Sequence, residues 1–231
     1  MQRNDTPSGA RAPLDRRLTD PTLRHAIAYW EALRGTRLVP PRMALDPAEM
    51  RPVLQNCAIL ERPRPGTLRI RLGGARISAL MGMEVRGLPL RALFDLADRG
   101  RITAEVERAM DEPALLLFEV ATPAPRYGHP MEATTSARLA ILPMSDADFT
   151  VNRALYVMGS VDALRTGTPP QRWSITGIEA VPLGIGRPVL TAEAISRPPI
   201  AAAAQAADEA TSEAHGPLAR ARFRVIEGGR A

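Results

Sequence analysis

Between Arg69 and Phe94 the chain reads RIRLGGARISALMGMEVRGLPLRALF, and this stretch narrows the possible folds more than any other. Leu68, Ile70 and Leu72 alternate with Arg69 and Arg71, the period of a strand with one buried face. Gly73-Gly74 breaks that strand. A short helix follows with apolar residues at Ile77, Leu80 and Met81; Gly82, Gly87 and Pro89 then punctuate a loop anchored by Leu93-Phe94. Strand, glycine break, helical turn and anchored loop describe short helices folded across one face of a sheet. Such a layout encloses a small cup, a shape better suited to sensing than to catalysis.

The flanking segments extend this plan in both directions. Thr19-Asp20-Pro21 offers a helix start, a polar cap with proline at the first helical position. Leu23, Ala26, Ile27, Trp30 and Leu33 follow as one apolar stripe, and Gly35 closes the helix. Val39-Pro40-Pro41 excludes helix, and Asp46-Pro47-Ala48-Glu49-Met50 reads as a short capped turn. Segments 56–61 and 68–72 flank Pro63-Arg64-Pro65-Gly66 and form a hairpin candidate. Ile102, Val106, Ala109 and Met110 repeat at helical spacing until Glu112-Pro113. Three strand candidates follow at 114–121, 132–142 and 153–161, the last two joined by the turn at Ser145-Asp146-Ala147-Asp148.

This order predicts an α+β fold. A five-stranded antiparallel sheet carries its short helices as one insertion after the second strand, behind an amphipathic N-terminal helix. Residues 1–20 read as a disordered arm, 21–162 as the domain, and 163–231 as a mostly disordered extension rich in alanine. Within the extension, 173–178 and 222–227 are candidates for short strands.

Composition limits the function classes. At 231 residues and 45% apolar the chain has material for one substantial core, but aromatics make up only 4%. Every one of the 30 basic residues is arginine. Residues 1–35 carry six arginines against four acidic residues, 36–161 sixteen against fourteen, and 162–231 eight against seven. The net charge of +5 is therefore spread evenly, without the clustered cations of a nucleic-acid surface. A single cysteine, Cys57, excludes an intramolecular disulfide framework. No apolar run approaches the ~20 residues of a membrane span, the N-terminus lacks a secretory pattern, and a cytoplasmic location is expected.

Three blocks carry a family likeness: YWEALRG at Tyr29–Gly35 with the Asp46-Pro47 turn, RLGGARI…MGMEVRGLPLRALF at Arg71–Phe94, and LAILPMSDADFTVNRALYVMGSV at Leu139–Val161. In order and spacing they resemble a PAS domain, most closely a bacterial single-PAS family, the fifth PAS profile class. The resemblance spans roughly residues 22–162. Ala75 departs from it, standing where a threonine-like hydroxyl is expected. PAS domains sense or relay, either binding a small molecule in the cup or pairing with other proteins through the outer sheet face. No kinase, cyclase, phosphodiesterase or DNA-binding segment is recognisable after the domain. The resemblance therefore implies a non-catalytic regulatory or adaptor module acting in trans through protein–protein contacts. A small-molecule sensor is the alternative, and an enzyme of undetected type a third.

Expected cup walls are Ile70, Leu72, Ile77, Leu80, Met81, Leu93, Phe94, Ile102, Val106, Leu116, Phe118, Leu139, Ile141, Tyr156 and Met158. On the N-terminal helix, Leu23, Ile27 and Trp30 are the candidate interface, toward a signalling protein or a second copy. No cofactor, metal site or catalytic residue is expected. Cys57 falls in the first strand, whereas light-sensing relatives place their flavin-adduct cysteine on the helix after the second. Residues 99–111, where haem-binding relatives carry a histidine, contain none; His25, His129 and His215 are scattered. Ser78, Ser136 and Ser160 lack the neighbours of a nucleophile, and Gly82–Gly87 lacks the lysine of a phosphate loop. Paired acids at Glu105/Glu107 and Asp111/Glu112 fit a solvated helix face.

Overall fold

The computed structural model describes residues 14–122, 135–159 and 170–190. A single helical turn, α1 (Leu14–Arg17), leads into α2 (Pro21–Arg34). Asp20 caps α2 by accepting the Leu23 N–H at 2.9 Å, Pro21 fills the first helical position, and Gly35 closes the helix at φ +54°. β1 (Cys57–Arg64) and β2 (Thr67–Gly73) form a hairpin, followed by α3 (Ala75–Met81) and α4 (Arg99–Asp111). β3 (Ala114–Ala121), β4 (Ser136–Ser145), β5 (Val151–Met158) and β6 (Ser174–Pro182) complete the order. Short 3₁₀ turns span Arg42–Ala44, Leu54–Asn56, Leu90–Leu93 and Leu96–Asp98.

One antiparallel sheet results, in the order β2-β1-β5-β4-β3-β6, with α3 and α4 as a single insertion between β2 and β3. The fold class is as expected, but the sheet has six strands where five were expected. The candidate at 173–178 extends to Pro182 and pairs with β3 along its length, because Leu115 and Leu117 leave backbone and apolar surface at what would otherwise be an edge. The segment at 222–227 and the strand portions expected before 135 and after 159 lie outside the described residues.

Period-2 alternation gives the sheet two buried faces. Leu60, Ile70, Leu116, Phe118, Leu139, Ile141, Tyr156 and Met158 point into the cup beneath α3 and α4. Cys57, Leu115, Ala140, Leu142, Leu155 and Val157 point the other way and pack with Leu23, Ala26, Ile27 and Trp30 of α2. The two helical faces explain why β4 and β5 are buried almost residue by residue.

Two expectations at the N-terminal side are corrected. Leu14 and Leu18, placed by sequence in the disordered arm, are buried against the outer face, so the packed chain begins before residue 21. The α2 stripe ends on Arg34 instead of Leu33: counting from Leu23 and Ile27 through Trp30, the helical period lands on 34. Glu31 and Arg34 are accordingly buried, Arg34 completely, and pair at 2.6 Å. Arg34 also donates to the carbonyls of Arg37, Gly184 and Arg187, and its guanidinium lies 5.6 Å from the Trp30 ring centroid. This ion pair fastens the return after β6 to α2.

The Gly73-Gly74 break has a steric cause. A Cβ on Gly74 would lie 2.3 Å from the Gln55 carbonyl oxygen, and one on Gly73 would lie 2.2 Å from a Val85 methyl. The Gly74 N–H donates to the Cys57 carbonyl at 2.8 Å. Close backbone approach lets the chain leave β2 and enter α3 directly.

Candidate functional site

The cup is built from both sides. Ile77, Leu80 and Met81 on α3, and Ile102 and Val106 on α4, descend onto the inner sheet residues, while Leu93 and Phe94 close one end. Each of these, with Ile70, Leu116, Phe118, Leu139, Ile141, Tyr156 and Met158, belongs to one continuous buried cluster.

Leu72 does not join them. In the β1–β2 ladder Ile59 faces Leu72 and Leu60 faces Ile70, so Arg71 is an extra residue opposite the junction. This bulge resets the alternation and turns Leu72 to the outer side, where it is 51% exposed. Strict period-2 reading from Leu68 has no means of detecting it. Arg69 and Arg71 do face away from the cup, and Arg71 pairs with Glu61 at 2.6 Å.

The residue that sequence reading missed is Trp173. It lies just before β6 and is fully buried in the cup cluster. Its N–H donates to the Leu93 carbonyl at 2.9 Å, its carbonyl accepts from Asp95 at 2.8 Å, and the preceding Gln171 donates to Leu80. Asp98 then accepts the Ile175 N–H at 2.9 Å. The walls at 80, 93–95 and 98 thus each hold the segment that carries the indole. A tryptophan in a weakly patterned region was the available signal.

Among the described residues the Tyr156 hydroxyl, the Trp173 indole N–H and the neighbouring Arg172 Nε make no hydrogen bond of ordinary geometry, although the indole N–H lies near enough to the Tyr156 hydroxyl to interact with it. Burial drives the Tyr156 phenol well above the ordinary tyrosine range, and the nearby Trp173 indole offsets part of this. The phenol is therefore neutral wherever the protein is folded at ordinary pH.

Elsewhere, Leu23, Ile27 and Trp30 are wholly buried against their own sheet, with Trp30 Nε1 donating to the Pro143 carbonyl at 3.0 Å. The candidate interface is thus an internal packing face in this conformation: the stripe's apolar surface is satisfied within the chain. His25, which lies outside the apolar stripe of α2 by sequence, is nevertheless buried, its Nε2 3.3 Å from the Glu49 carbonyl. Cys57 packs in the outer core beside Val53, whose carbonyl its thiol contacts at 3.3 Å, and burial pushes the thiol up to about 12. Among the described residues no group of three or more His, Cys, Asp or Glu is placed to hold a metal. His129, Ser160 and His215 lie outside them.

Surface depressions lie around this core. One, of ≈ 480 Å³, lies under α1 and holds the pairs Arg17–Glu179 at 2.8 Å and Arg138–Glu119 at 3.1 Å. A second, of ≈ 400 Å³, lies between the end of α4 and β6. A third, of ≈ 300 Å³, is an apolar groove on the outer side of β1 and β2, floored by Ile59 and Leu72.

An antiparallel sheet in this order, with helices inserted after its second strand and packed on one face, defines an α+β module of the PAS type. A sequence profile described as PAS domain matches residues 18–159, more than half of the chain, and the chain belongs to the PAS domain family. Comparison with curated proteins gives no match. PAS domains are signalling-type modules and generally non-catalytic. No helix among the described residues is long and apolar enough to cross a membrane. Trp173 and β6 fall beyond the matched residues.

Proposed function

We propose that the protein is a non-catalytic PAS regulatory module that works through contacts with a signalling protein, its cup acting as a packed core. The observation that carries this reading is Trp173. A large side chain from outside the family match is fully buried among the inner sheet residues and short helices, its backbone hydrogen-bonded to Leu93 and Asp95, and this supports a packed interior. Close packing by the chain's own residues leaves the module's outer features as its means of communication.

One observation favours a second reading, a small-molecule sensor. The Tyr156 hydroxyl and Trp173 indole N–H are two unsatisfied polar groups in an apolar interior, an arrangement that could orient a ligand. Native mass spectrometry of the purified full chain separates the two, combined with in-cell crosslinking to a tagged copy. The adaptor reading expects the bare protein mass and a crosslinked signalling protein. A stoichiometric small molecule carried through purification would overturn it in favour of the sensor.

A further inference from the structure

We propose that this chain pairs with a second copy of itself by reciprocal insertion of Phe149 into the groove between Leu54 and Leu72. The proposal concerns the outer surface and stands whether or not the cup binds a ligand.

The knob is built with unusual care for an exposed turn. Phe149 lies at the tip of the β4–β5 connection, is 83% exposed, and holds φ +60°, a left-handed conformation that bulky side chains adopt only at a cost. Asp146 fixes it there: Oδ1 accepts from the N–H groups of Asp148 at 2.9 Å and Thr150 at 3.0 Å, and Oδ2 accepts from Asn152 Nδ2. Slight desolvation raises the Asp146 carboxyl, but those hydrogen bonds and the nearby Arg153 outweigh it and hold the group below the usual carboxylate range. The phenyl ring gains little inside its own chain. A rigid aromatic projecting from an ordered base is what an interface anchor requires, since little conformational freedom is lost on docking.

The matching hole is the apolar groove of ≈ 300 Å³, lined by Leu45, Met50, Leu54, Ile59 and Leu72. Leu54 and Leu72 are 46% and 51% exposed, and Leu72 is there only because the β2 bulge turns it outward. One opposite-charge pair favours the same docking. The knob is acidic, through Asp146 and Asp148, while Arg42 lies in the groove's lining. Among the described residues neither the Asp148 carboxylate nor the Arg42 guanidinium has an ion-pair partner, whereas Asp46, also lining the groove, is turned back onto the Ala48 N–H at 2.8 Å. Seating Phe149 brings Asp148 toward Arg42 of the other copy.

Placement permits a twofold exchange. Leu155, in the groove, lies four residues along β5 from Val151, about 14 Å, and Phe149 stands in the turn just before that strand. Pro41 bridges to Ser145, setting Arg42 beside the base of the hairpin. Knob and hole thus share one region of each copy, as an isologous pair needs.

The test is light scattering with sedimentation velocity on the full chain from about 1 μM to 1 mM, where anchor-dominated association of modest area falls. Wild type is expected to dimerise in this range. Phe149→Ser and Leu72→Arg change exposed side chains, so both should keep the wild-type circular dichroism and melting curve, while each shifts the association midpoint upward at least ~10-fold. An equimolar mixture is the decisive arm: Phe149→Ser keeps its groove and Leu72→Arg keeps its knob. A mixed dimer therefore retains one of two contacts and must associate more tightly than either variant alone. A wild type that stays monomeric, a dimer indifferent to both substitutions, or a mixture no tighter than its components overturns the proposal. So does a monomeric wild type whose Phe149→Ser variant loses a crosslinked partner, since the knob would then serve another protein.

Discussion

Truncating Trp173 to alanine is the sharpest test of how the cup is filled. The side chain is fully buried among the inner sheet residues and the short helices. Removing a buried tryptophan side chain costs roughly 3–5 kcal/mol in lost transfer energy and cavity formation. One term works in the opposite direction: the indole N–H has no hydrogen-bond partner, and deleting an unsatisfied buried donor returns about 1 kcal/mol. The net expectation is a loss of about 2–4 kcal/mol, or roughly 5–15 °C in melting temperature for a folded body of this size. Urea titration followed by fluorescence is well suited, because Trp30 remains as the only tryptophan in the variant. Trp173→Phe keeps an aromatic ring and removes the orphan donor, so its loss should stay near 1 kcal/mol or below. Added indole should raise the urea midpoint of Trp173→Ala by occupying the apolar space, and leave wild type unchanged. A loss below ~1 kcal/mol for Trp173→Ala would mean that the cup closes without the indole, and the packed-core reading would fall with it.

Tyr156→Phe should be neutral or stabilising by up to about 1 kcal/mol, since it removes a buried hydroxyl that lacks a partner; a clear loss in urea titration would show that the hydroxyl is satisfied. Arg34→Ala strands Glu31 in the interior and should cost roughly 3–5 kcal/mol, whereas Arg17→Ala at the more exposed Arg17–Glu179 pair should stay within about 1 kcal/mol by the same titration. Gly74→Ala places a methyl against the Gln55 carbonyl, backbone that has little room to yield, so a loss of at least ~2 kcal/mol in thermal melts is expected. For Cys57, burial raises the folded-state value from 9.0 to about 12. The thiol's contribution is therefore complete below pH 9 and lost as pH rises toward 12, and Cys57→Ala should flatten that part of the stability curve between pH 8 and 11. At pH 8 the folded protein should resist thiol reagents that label it readily in urea.

Local rules made most of the fold legible. Asp20-Pro21 and Gly35 bound α2 because capping and closing geometry depend on adjacent residues only. β3 spans 114–121 as expected because Pro113 stops α4 and an apolar run of strand length follows at once. What escaped prediction depends on pairing across the chain. The bulge at Arg71 is a property of the β1–β2 register, and no composition near Leu72 announces it. Trp173 enters the cup because β6 pairs with β3 some 60 positions away in sequence, a contact absent from any local window. Arg34 reads as a solvated helix terminus until the carbonyls of Gly184 and Arg187 are seen to come to it. The burial of the inner-face positions was legible because they fall on strand and helix periods; that of Trp173 among them was not.

These long-range contacts also decide where the module can meet other proteins. A PAS sheet left bare on its outer side would offer that face to a partner, as the sequence resemblance suggested. Here α1, α2 and the return held by Arg34 cover it, and α2 places Leu23, Ile27 and Trp30 out of reach of any partner unless the helix leaves. The inner side is closed by α3, α4 and Trp173. With both faces occupied from within the chain, docking that preserves the fold must use the periphery. Exposed large apolar side chains there include Phe149 on its hairpin, Met43 and Leu54 in the segments before β1, and Leu72 at the bulged edge strand, with Met83, Leu96 and Ile185 exposed elsewhere among the described residues. Peeling α2 away would instead expose several fully buried side chains, each worth about 1.5–3 kcal/mol. A partner docking on the bared sheet would have to rebury all of that surface to offset the cost, whereas contacts at the rim carry no such cost.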